Sequence, residues 1–99
     1  MSIEVGTTKN AIHDKLESQI KTAEAQLDTL KARAEVAKAN LELKAIAALA
    51  MQKVEIHEKL RELKASSDAN WQYVKKDLET RIAAFEKAIK EIEAKVKTH

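Results

Sequence analysis

Leu60-Arg61-Glu62-Leu63-Lys64-Ala65-Ser66-Ser67-Asp68-Ala69-Asn70-Trp71-Gln72-Tyr73-Val74 decides the reading of this chain. Ser66, Ser67 and Asp68 carry short side chains that can accept hydrogen bonds from the exposed amides of a helix start, so they mark a connection. Apolar residues recur on either side at equal distances from Ser67. Going back they are Leu63, Leu60, Ile56, Leu49 and Ala45; going forward they are Trp71, Val74, Leu78, Phe85 and Ile89. Steps of three and four belong to one helix face. A chain that turns back at Ser67 stacks these residues as opposed layers, and they form the expected core of an antiparallel helical hairpin.

Upstream of the connection nothing stops a helix between Thr8 and Ala65. Ile20, Ala23, Leu27, Leu30, Ala34, Ala37 and Leu41 follow the a/d pattern of a left-handed coiled coil. The change to steps of four through Ala45 and Leu49 reads as a stutter within a continuous helix. Downstream, the stripe Trp71, Val74, Leu78, Ile82, Phe85, Ile89, Ile92 and Val96 is unbroken. The expected organisation is a single domain: a disordered lead-in over 1–7, a long helix over 8–65, a connection over 66–68 and a second helix over 69–97.

At 1.5 Å per residue the first helix is roughly 85 Å long and the second roughly 45 Å. Half of the longer helix then lacks a partner in its own chain. Ile12, Leu16, Ile20, Leu27, Leu30 and Ala34 lie in that half, and each large side chain left in water costs ~1.5 to 3 kcal/mol. They are the expected self-association or partner stripe. The fold expected is therefore all-α: an antiparallel helical hairpin or coiled coil with one long and one shorter helix, oligomerising as a dimer or tetramer into a helical bundle. The alternative is a compact three-helix bundle in which the long helix breaks near Asn40 and buries the same stripe unaided. No Gly, Pro or polar cluster marks such a break.

Composition agrees with helix. The 99 residues include no Pro and a single Gly, 3% are aromatic and 34% are charged, the mixture of long helices and coiled coils. The net charge of +2 is spread as interleaved Lys and Glu, so no nucleic-acid footprint is expected. Glu17 with Lys21, Glu55 with Lys59 and Glu91 with Lys95 lie four apart, in the order that suits a solvated helix face. The longest uncharged run, Ala45 to Gln52, falls far short of the ~20 apolar residues of a membrane span. With no Cys and no apolar signal region, a cytoplasmic protein is expected.

Chemistry is scarce. His13, His57 and His99 share no helix face at spacings of three or four, and the Glu and His of Glu55-Ile56-His57-Glu58 lack the three-residue separation of a di-iron helix. No catalytic residue, cofactor or metal is expected. Trp71, in the first turn of the second helix, is read as capping the hairpin core against Leu63.

The run Lys59 to Lys76, with its Glu-Leu-Lys helix end, Ser-containing connection and Trp near the start of the last helix, resembles a family of short, uncharacterised bacterial coiled-coil proteins, several of them cyanobacterial and associated with stress. In that family Ala and Trp are usually adjacent, whereas Asn70 separates Ala69 from Trp71 here. The resemblance carries over no functional residues. The expected function is a non-enzymatic, self-associating coiled-coil scaffold or interaction module. The alternatives are a regulatory module that captures a helix of another protein and an amphipathic helix that lies on a lipid surface.

Overall fold

The computed structural model describes the backbone of residues 2–98 and the side chains of residues 9–98. It shows three helices: α1 (Ser2–Ala37), α2 (Asn40–Ala65) and α3 (Asp68–Lys97). Each packs on the other two, in a rod of 54 × 17 × 15 Å. All the described secondary structure is α-helical. The expected continuous helix over 8–65 is replaced by two helices, and the compact three-helix arrangement replaces the long hairpin.

The break has a backbone cause. Lys38 takes a left-handed φ of 56°, its amide donates to the Glu35 carbonyl at 3.2 Å, and the Ala39 amide donates to the Ala34 carbonyl at 2.9 Å. This pair of reversed bonds is a Schellman ending, which satisfies carbonyls that the helix would otherwise leave open. Left-handed backbone costs a lysine ~1 to 2 kcal/mol. Folding α1 onto the rest outweighs that, because Leu16, Ile20, Leu27 and Leu30 are all buried, at ~1.5 to 3 kcal/mol each.

Beyond the break the apolar frame is reset. Ile46, Leu49, Ile56, Leu60 and Leu63 are buried, and with Lys53 they keep an unbroken alternation of three and four. Leu41 and Ala45, placed on the core stripe by the stutter, are exposed instead. The expected lead-in is also corrected: α1 begins at Ser2, since one Gly costs a helix only ~1 kcal/mol. Met1 lies outside the described residues.

The connection at Ser66 and Ser67 separates α2 from α3, and the start of α3 is capped by backbone alone. Ser67 is extended and makes no side-chain cap bond. Its carbonyl accepts from the Trp71 amide at 2.9 Å, and the Ser66 hydroxyl donates back to the Glu62 carbonyl at 2.7 Å. Across α2 and α3, Lys59 meets Asp77 and Glu55 meets Arg81, both pairs symmetric about residue 68. The mirror centre thus lies one residue beyond Ser67.

Candidate interaction face

The stripe expected to bind a partner is internal. Leu16, Ile20, Leu27, Leu30 and Ala34 belong to the core, and Ile12 is half-buried against it. Of the expected hairpin core, Leu49, Ile56, Leu60, Leu63, Trp71, Leu78, Phe85 and Ile89 are buried, Val74 is partly buried and Ala45 is exposed. Apart from Ala45, the structure therefore brings both residue sets into or against one interior. The expected outlet for self-association is filled by α2 and α3. The apolar stripe of α3, from Trp71 to Val96, is likewise largely spent on the core, and among the described residues no helix is long and apolar enough to cross a membrane.

Polar groups on two sides of α2 are committed to its neighbours. His57 pairs with Glu24 of α1, so this partly exposed histidine bridges two helices. Toward α3, Arg81 donates to Glu55 at 3.1 Å and to Asp77 at 3.2 Å, while Lys59 lies 3.5 Å from Asp77 and donates to Glu62 at 3.1 Å. Hydrogen bonding to Arg81 holds the Asp77 carboxyl below its ordinary pKa. The Glu62 bond holds the Lys59 ammonium above its own. Glu55 and Lys59, expected to pair along α2, serve instead as its ties to α3 and Glu62.

At one end of the rod, Lys9 pairs with Asp68 and also stands 5.4 Å from the Trp71 ring centroid. Lys75 stands 6.0 Å from the same ring. Trp71 is buried, and it lines a cleft with Leu63, His13, Asp14 and Glu17. The side chains of this cleft are engaged with one another at the Lys9 to Asp68 contact and at the His13 to Asp14 contact of 3.6 Å. Among the described residues no group of three or more His, Asp or Glu could hold a metal ion.

The side of α2 that faces away from the core is different. An uncharged run of eight residues, Ala45 to Gln52, passes twice round the helix, so it is apolar on its outer face as well as its inner one. A helix that is apolar all round is normally buried. Here Met51 is 74% exposed and Val54 57% exposed, with Ala47, Ala48 and Ala50 exposed beside them. The signal in the sequence is that same charge-free run.

No family model matches the chain, and no curated protein or solved structure matches it.

Proposed function

We propose that this chain is a non-enzymatic, self-associating interaction module whose contact surface is the outer face of α2. The exposed Met51 and Val54, set among exposed alanines directly opposite the core, carry this reading. Burying such a face removes apolar area from water without disturbing the bundle. A second copy of the chain is the occupant that the charges favour. Lys44 and Glu58, exposed on this face, make no ion pair among the described residues, and they are opposite in sign at opposite ends of the apolar patch. A stress-related role, implied by the resemblance at Lys59 to Lys76, belongs to the same proposal.

Sedimentation equilibrium of the full chain tests it. The wild-type chain should form a reversible dimer, and Met51→Glu with Val54→Glu should shift it to monomer with an unchanged helical circular dichroism signal. A chain that stays monomeric at every accessible concentration, or a double variant that associates as before, would overturn the reading.

A further inference from the structure

We infer that two copies dock α2 against α2 in antiparallel register, with the two-fold axis passing beside Met51 and Lys44 of each copy facing Glu58 of the other. The inference rests on the self-association proposed above and adds the orientation and the pairing. Lys44 and Glu58 are each seven residues from Met51. Seven residues make nearly two turns, so both lie within about 20° of the Met51 direction and about 10 Å from it along the helix axis.

An isologous contact must be complementary to itself. An antiparallel pair centred on Met51 sets each residue opposite the one equally far beyond it. Val54 then lies beside Ala47 of the second copy, on the same flank of the seam, a branched side chain against a small one, which lets the helices approach closely. Lys44 faces Glu58 twice. A parallel pair would set Lys44 against Lys44 and Glu58 against Glu58, and like charges across a seam oppose association. The other acids of α2 nearby are already committed: Glu55 to Arg81 and Glu62 to Lys59. Glu58 is therefore the acid on this face left for an intermolecular partner.

Charge reversal and cross-linking decide the orientation. K44E alone should weaken the dimer about tenfold, since two exposed ion pairs become two repulsions. The double variant K44E/E58K should regain wild-type affinity, because the pairs re-form with signs exchanged. The chain has no native Cys, so introduced thiols report without background. Under oxidised glutathione M51C should form a disulfide-linked dimer, and an equimolar mixture of K44C and E58C should give mainly the mixed disulfide.

If M51E/V54E dissociates a wild-type dimer while K44E leaves it unchanged and K44C pairs with itself, the antiparallel register is wrong and the self-association reading survives. If the wild-type chain is monomeric throughout, both fail. Folding is checked in each variant by circular dichroism, and K44E/E58K guards against a surface substitution acting through stability.

Discussion

The Ala39 amide reaches back to the Ala34 carbonyl at 2.9 Å, and both alanines are fully buried at the point where α1 gives way to α2. Lys38 stands between them in the left-handed region. The turn therefore depends on two small residues that let the helices close and on one lysine held where glycine is preferred.

Replacing Lys38 by Gly should stabilise the protein. Relief of the left-handed strain favours the folded state by ~1 to 2 kcal/mol, partly offset by the extra freedom of glycine in the unfolded chain. A net gain of ~0.5 to 1 kcal/mol corresponds to a rise in Tm of about 2 to 8 °C for a domain of this size. Lys38→Val should act oppositely, since a β-branched residue tolerates positive φ poorly. Thermal unfolding followed by circular dichroism checks both, and equal Tm values for the two variants would contradict the account.

This position also explains what was legible in the sequence. Ser66, Ser67 and Asp68 signalled their connection by residue type. The mirror about that connection was readable because α2 and α3 share one frame of apolar spacing, from Ile56 to Leu78 and from Leu49 to Phe85. At Lys38 the same signal was missing, because a left-handed helix ending without Gly looks like ordinary helix. The residual clue was the frame itself. The strict alternation Ile46, Leu49, Lys53, Ile56, Leu60, Leu63 excludes Leu41 and Ala45, so the step of four and four was a break between two helices rather than a stutter. The interaction face was harder to read for a related reason: a charge-free run is equally compatible with burial, and only the three-helix packing shows which of its sides is covered.

Phe85 is 1% exposed at the centre of α3, so truncation leaves a large cavity among close-packed neighbours. Phe85→Ala should cost ~3 to 5 kcal/mol, a large share of the ~5 to 15 kcal/mol that such a domain possesses. The midpoint of urea unfolding should fall with little change in the slope. A loss below about 0.5 kcal/mol would contradict the packing of α3 on α1 and α2.

Acid should loosen the link between α2 and α3. Because the folded-state pKa of Asp77 is depressed, mainly by Arg81, its contribution is present above the unfolded value of about 3.9 and is lost as pH falls through the lower folded value. Asp68 is depressed in the same direction by Lys9, so it titrates alongside. Asp77→Asn should flatten, without abolishing, the fall in stability below about pH 4. The effect is small, because both partners are partly exposed and screened by water. Urea midpoints measured across the acid range check this, and an unchanged slope would show that the Arg81 contact contributes nothing to folding.

Removing α1 separates the observed bundle from a self-sufficient hairpin. If α2 and α3 satisfied each other alone, deletion of residues 1–34 would leave a soluble helical pair. In the structure Ile46, Leu49, Ile82 and Phe85 belong to one continuous core with Leu16, Ile20, Leu27 and Leu30, and the deletion uncovers the first group while discarding the second. Each large apolar side chain returned to water costs ~1.5 to 3 kcal/mol, so the loss from a few of them already reaches the whole stability of a small domain. The truncated chain should therefore lose most of its helical circular dichroism signal, and Leu27→Glu with Leu30→Glu in the full chain should do the same by placing unpaired charges in the interior. A truncated chain that keeps a cooperative thermal transition would show that α2 and α3 fold without α1, and that the buried stripe of α1 is an accessory rather than a third wall of the core.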